Sequence, residues 1–148
     1  MHLYCRAKGL SRPRKGSGTH FYQPKDNQQG LFAELVRWRR TVKNVKIIDQ
    51  PVFILYDINI KRKTSKNKYP ISKRDCDLDN IIKALNDGLV EYNIIQDDSL
   101  IIGSTEFMNY DDEYDYVSIY IFDAATNDLL RTHLMDKLDL IPEEREDD

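Results

Sequence analysis

The chain has 148 residues, with 22 Lys and Arg against 25 Asp and Glu and a formal charge of −3. Its hydrophobic share of 41% supports the core of one domain, and its charged share of 32% a wet surface. No apolar run approaches the ~20 residues of a membrane-spanning helix. Met1 to Arg6 lacks the apolar centre of a secretory leader, and Cys5 and Cys76 are too few for a disulfide framework, so the expected setting is cytoplasmic and reduced.

Residues 8–30 are rich in Lys, Arg, Gly, Ser and Gln, which predicts an extended basic segment, with Arg12, Arg14 and Lys15 as its densest charge. Leu31, Leu35, Trp38 and Val42 then recur at helical spacing, predicting a helix over 31–43 with Trp38 on its apolar stripe and Arg37, Arg39 and Arg40 on the others. Val52 to Ile60 is β-branched and aromatic and reads as a strand. A loop over 61–70 follows, opening on Lys61, Arg62 and Lys63. Asp79 and Asn80 are suited to cap a helix over Ile81 to Val90. Ile94-Ile95 and Leu100-Ile101-Ile102 flank Gln96-Asp97-Asp98-Ser99, and Tyr116 to Phe122 is another strand. Leu130, Leu134 and Leu138 place a last helix over 125–138, ahead of an acidic tail over 141–148 expected to lack order. Helices and strands without strict alternation predict an α+β fold, a small mixed sheet packed with two to three helices, in a single domain over 1–140.

The net charge conceals a polarity. Residues 1–74 hold 18 basic groups and 4 acidic ones, whereas residues 75–108 hold Lys83 alone against 8 acids. A basic half offers a footprint for a polyanion, but taken alone the charges are accounted for more simply by two opposite regions that meet and neutralise in the fold.

The informative stretch is Arg74-Asp75-Cys76-Asp77-Leu78-Asp79-Asn80-Ile81-Ile82-Lys83, followed by Asp97-Asp98. Asp77 and Asp79 alternate where a helix begins, where backbone amides favour negative charge. Lys83 follows Asp79 by one helical turn. A helix-then-turn path can bring Asp97 or Asp98 back beside that pair. Three carboxylates and an amine would suit Mg²⁺, which takes oxygen ligands and retains waters and substrate phosphates. Capping alone needs one acid, and this stretch supplies three in alternation. Asp75-x-Asp77-x-Asp79 opens like an EF-hand, but Asn80 and Asn86 stand where that loop needs Gly and Glu. His2, His20 and His133 have no metal spacing, and no Gly-rich phosphate loop is present.

Asp77-Leu78-Asp79-Asn80-Ile81-Ile82-Lys83-Ala84-Leu85-Asn86-Asp87-Gly88-Leu89, with Ile95-Gln96-Asp97-Asp98-Ser99-Leu100-Ile101, resembles the RusA family of Holliday junction resolvases. The resemblance implies a homodimeric, Mg²⁺-dependent endodeoxyribonuclease, with Mn²⁺ able to substitute, that cuts four-way junctions by symmetric paired nicks in DNA recombination and repair. It implies that Asp77, Asp79 and Asp98 are the metal-binding, catalytic carboxylates and Lys83 the catalytic lysine, with Lys73 and Arg74 as basic groups upstream. Asp75 and Asp97 are candidate auxiliaries. Arg12, Arg14, Lys15, Lys61, Arg62 and Lys63 are the expected contacts to backbone phosphates. One departure is Gly103-Ser104-Thr105-Glu106-Phe107-Met108, which lacks the lysine the family commonly carries there. The alternatives are a non-catalytic protein that binds branched or single-stranded DNA, an adaptor that docks protein partners, and a nuclease for other branched DNA.

Overall fold

The sheet is built around one strand. In the computed structural model, which describes residues 1–9, 14–15, 21–22, 29–71 and 77–137, the apolar run Val52–Lys61 has a neighbour on each side. The elements in chain order are β1 (His2–Leu3), β2 (Arg14–Lys15), β3 (Phe21–Tyr22), α1 (Gln29–Thr41), β4 (Val52–Lys61), α2 (Leu78–Glu91), β5 (Ile101–Asp111), β6 (Tyr116–Asp123) and α3 (Ala125–Lys137). The main sheet has the order β1-β6-β4-β5, and β2 and β3 pair separately. β4 runs parallel to β5, with Ile58 opposite Met108, and antiparallel to β6, with Ile58 opposite Val117. The result is an α+β fold with a four-stranded mixed sheet and three helices.

Alternation along β4 decides what each face of the sheet carries. Ile54, Tyr56, Ile58 and Ile60 join Val117 and Ile119 on the inner face, where Leu31 and Leu35 of α1 and Ile81, Leu85 and Leu89 of α2 close the core. Gly88 lets the two helices approach, since a Cβ there would stand 2.9 Å from the Leu35 Cδ1. Trp38 is partly buried against this core, on the stripe its spacing predicts. The buried Tyr56 hydroxyl donates to the Asn86 Oδ1, tying α2 to the central strand. Asn93, in the left-handed region at φ 55°, then turns the chain back. The amides of Ile94 and Ile95 both donate to the Leu89 carbonyl.

One expectation changes, and two others gain detail. Asp79 and Asn80 lie inside α2, and its N-cap is Asp77. The basic segment 8–30 contains an antiparallel pair, with Arg14 opposite Tyr22 and Lys15 opposite Phe21. The last helix forms, but it buries none of its side chains: Leu129 is 72% and Leu134 56% exposed. Leu138 and the acidic tail lie outside the described residues.

Ile58 is fully buried on the inner face of the central strand. Ile58→Ala should therefore cost about 2–5 kcal/mol, the range for a large core aliphatic cut back to alanine. Chemical denaturation checks this; a loss below ~1 kcal/mol would mean that the core collapses freely around the gap.

Candidate active site

The residues with chemical potential lie on the connection between β4 and β5. α2 begins at Asp77, whose carbonyl accepts the first helical bond from the Ile81 amide at 2.9 Å. Its carboxylate makes no capping hydrogen bond and is exposed, so it is not consumed by the helix end. Asp79 is exposed in the first turn, and Lys83, also exposed, lies one turn further along. No ion pair joins Lys83 to Asp79 among the described residues.

The second acidic pair divides its labour. Asp97 caps the short 3-10 turn Asp98–Leu100, its Oδ1 accepting from the Ser99 amide at 2.9 Å. The Ser99 hydroxyl and amide hold the Asp97 carboxyl below its ordinary range. Asp98 is exposed and has no such role. The turn touches α2, but among the described residues no three His, Cys, Asp or Glu side chains form a group that could hold a metal ion. Asp77 and Asp79 thus stand at the start of α2 and Asp97 and Asp98 at the turn, with no three-group site joining them among the described residues. Asp75, Lys73 and Arg74 lie outside the described residues, as does Arg12, and for Arg14 and Lys15 only the backbone is described.

The basic loop after β4 is organised by one of its own cations. The Arg62 Nη1 donates to the Asn67 carbonyl at 2.6 Å and to the Ser65 carbonyl at 3.3 Å. Its Nε lies 3.3 Å from the Asp112 carboxylate, and the guanidinium stacks 4.7 Å from the Tyr110 ring centroid. Arg62 staples the loop, while Lys61, Lys63, Lys66 and Lys68 are exposed. The loop leaves the sheet beside Asp111, at the end of β5, whereas Asp98 stands just before β5 begins. Ten residues of strand, at ~3.3 Å each, separate those two ends by roughly 30 Å.

A feature the sequence reading missed is the path of residues 3–9. Leu3, Cys5 and Ala7 are buried in alternation, a period-two signal visible in the sequence. The Tyr4 amide donates to the Glu34 Oε2 at 2.8 Å. Burial, with the Glu34 and Asp115 carboxylates nearby, pushes the Cys5 thiol up to about 12, so it is no nucleophile at neutral pH. The segment ends with Gly9 against Asn80, at the start of α2.

The α+β domain carries exposed carboxylates on its sheet crossover, beside basic segments of the chain. The family model of the endodeoxyribonuclease RusA matches residues 6–121, well over half of the chain. The chain belongs to the RusA family, and it is an endodeoxyribonuclease, an enzyme that hydrolyses phosphodiester bonds, of a family that acts on Holliday junctions. The match ends within β6 and leaves α3 outside it. No curated protein matches the chain. Among the described residues, no helix is long and apolar enough to cross a membrane.

The Asp97 cap has a pH signature. Its carboxyl binds its proton less readily in the folded state, so its contribution to stability is present above the unfolded pKa of about 3.9 and is lost as pH falls through the lower folded value. A carboxyl-carbon NMR titration should place Asp97 below 3.8, and Ser99→Ala should move it upward by removing the hydroxyl. A midpoint at or above 3.8 would mean that the turn is uncapped in solution.

Proposed function

We propose that this enzyme resolves four-way DNA junctions as a Mg²⁺-dependent homodimer, by paired nicks on opposed strands. One observation carries the reading: the carboxylate at the N-cap of α2 is not used as a cap, whereas the equivalent Asp97 is. Asp77 and Asp79 offer hard oxygen donors, and Mg²⁺ is typically held by one or two carboxylates together with waters and substrate phosphates rather than by an all-protein cage. The donor chemistry fits that ion, although among the described residues the three carboxylates are not gathered into one group. Asp77 and Asp79 would hold it, with Asp98 as the third donor from the adjoining turn and Mn²⁺ able to replace it. When bound, the ion supplies Lewis acidity at the phosphoryl oxygen and a more acidic water.

The chain's own groups do the rest. An oxygen of Asp77, Asp79 or Asp98 not engaged in ligation accepts the proton of the attacking water, with Asp75 as an auxiliary. The exposed Lys83 ammonium offsets the negative charge that gathers on the scissile phosphate. Lys61, Lys63, Lys66 and Lys68 position phosphates at the far end of the sheet, where Arg62 shapes the loop rather than grips DNA. Arg12, Arg14, Lys15, Lys73 and Arg74 add further contacts to the backbone. Such contacts set affinity and register but carry no base sequence, so recognition is of shape.

Dimerisation is supported by the exposed apolar surface. Phe107, Tyr120 and Phe122 stand out on the outer face of the sheet, and Leu129, Leu130, Leu134 and Met135 extend along α3. Surface of this kind marks an interaction site more often than a free face. A two-fold dimer would give a two-fold junction one active site for each opposed strand.

Synthetic four-way junctions labelled on each strand in turn, with Mg²⁺ or EDTA, test this. Paired symmetric nicks are expected, abolished by EDTA and reduced roughly 100-fold or more by Asp79→Asn while binding persists. Equal cutting by that variant would remove the site assignment, and tight binding without cutting in any metal would leave a non-catalytic junction binder. The absence of lysine in Gly103–Met108, which lies on β5 short of its end beside the basic loop, favours a second reading: a nuclease for branched DNA in general. Equal cutting of flaps and four-way junctions would establish that one.

The loop has its own test. Reversing the charge of Lys63, Lys66 and Lys68 should weaken junction binding and flatten its dependence on salt, by about one unit of slope for each phosphate no longer neutralised. An unchanged slope would make the loop solvated surface.

A further inference from the structure

Phosphate contacts account for the lysines of the loop after β4, but not for the residues that close it. Residues 61–68 contain no apolar side chain, and Tyr69, Pro70 and Ile71 then follow. Pro70 is buried, while Tyr69 is 51% and Ile71 67% exposed. The chain thus sets an aromatic and an aliphatic side chain in solvent on either side of a sunken proline. The backbone that carries the ring is held at both ends. Arg62 binds the Ser65 and Asn67 carbonyls, and the Asn67 amide donates to the Ser65 Oγ at 3.2 Å. Tyr69 lies between that turn and the buried proline. The Lys68 Nζ stands over its ring, 5.2 Å from the centroid. Among the described residues the Tyr69 hydroxyl has no hydrogen-bond partner and the ring no aromatic neighbour. Packing within the domain therefore does not account for a tyrosine at this position.

We propose that Tyr69 is a base-stacking platform that recognises the branch point of the DNA, with the Lys68 ammonium on a phosphate beside the stacked base. The proposal rests on the branched-DNA reading of this protein. Inside a duplex each base is covered on both faces by its neighbours. At a branch point the stack is interrupted, and a base face lies bare for an aromatic ring to cover. Cationic groups that follow the backbone, joined to aromatic rings that take the bases, are the chemistry by which proteins hold unstacked nucleotides. Lys68 and Tyr69 supply both halves in adjacent residues. Stacking tolerates any sequence, because every base has a π-face, so this contact reads branching rather than base identity. Phosphate contacts alone do not make that distinction, since an unbranched duplex presents phosphates as well. A ring already fixed between two anchored points also loses little freedom on binding. Tyr69 lies eight residues ahead of Asp77 on the same crossover, so the contact that finds the branch and the acidic stretch belong to one connection.

The test compares affinity for a four-way junction and for an unbranched duplex of the same length, in EDTA and across a range of salt. Wild type, Tyr69→Ala and Tyr69→Phe are measured side by side. Tyr69→Ala should bind the junction about tenfold more weakly, with duplex affinity and melting temperature as in wild type. Its salt slope should not change, because stacking displaces no counterions. Tyr69→Phe keeps the ring and should bind like wild type. A junction carrying 5-iodouracil at the branch point, which crosslinks on irradiation to an aromatic ring stacked on it, should join to Tyr69. The same label inside an arm should not. A Tyr69→Ala variant that binds the junction as wild type does, or that loses duplex binding to the same degree, would overturn the proposal. So would a Tyr69→Phe variant as weak as Tyr69→Ala, or a branch-point label that crosslinks to another residue instead. Each of those results, with a wild type that still prefers the junction, removes the platform alone. A wild type that binds both DNAs alike removes the branched-DNA reading, and the platform with it.

Discussion

The parallel pairing of β4 with β5 is the constraint on which the site depends. Antiparallel strands can be joined by a tight turn, but parallel ones need a crossover that carries the chain back to the starting end of the sheet. Here that crossover is residues 62–100, and it contains the stapled loop, the acidic stretch, α2 and the turn with Asp97 and Asp98. The candidate catalytic residues are thus the obligatory return path of the fold. Its helix is pinned by buried Ile81, Leu85 and Leu89, by the Tyr56–Asn86 hydrogen bond, and by a parallel bridge between Ile48 and Ile95. A site on such a helix inherits the rigidity of the core beneath it.

Charge is sorted by the same architecture. The basic groups of α1, the loop and the N-terminal segment belong to the first half of the chain, while residues 75–148 carry 21 of the 25 acids. Two of those acids attach the halves to each other: Asp112 meets Arg62, and Asp115 receives the Lys61 amide at 2.9 Å and stands near Arg6. These contacts neutralise charge where the halves meet, and no ion pair among the described residues takes up the exposed lysines of the loop or the carboxylates of α2.

Much of this was legible because it is local. The apolar run of β4, the stripe of α1, and the alternation of Asp77 and Asp79 ahead of a helix are written in consecutive residues, and so is the family motif. The start of α2 shifted because Asp77 rather than Asp79 is its N-cap, and Asp and Asn suit that position about equally. The outward face of α3 was not legible, since Leu130 and Leu134 have the same spacing whether a helix buries them or displays them. Nor could Arg62 be told from Lys63 by composition: only the fold shows that one closes a loop and the other meets solvent. The meeting of Gly9 with Asn80 joins positions too far apart in sequence for any pattern to reveal.

The pairing of β1 with β6 has a consequence for how the enzyme comes into being. His2 lies opposite Ser118, and the Met1 ammonium donates to the Ile119 carbonyl at 2.8 Å. Closing a loop of that length is entropically the most demanding contact in the sheet, and in vectorial synthesis it waits for almost the whole domain. β4, α2 and β5 can assemble first, with the amino terminus still loose. The first strand then seats after the last one is in place, and a nascent chain holds α2 before its amino terminus is docked. Docking of the amino terminus is in this way the final act of folding rather than a step that begins it.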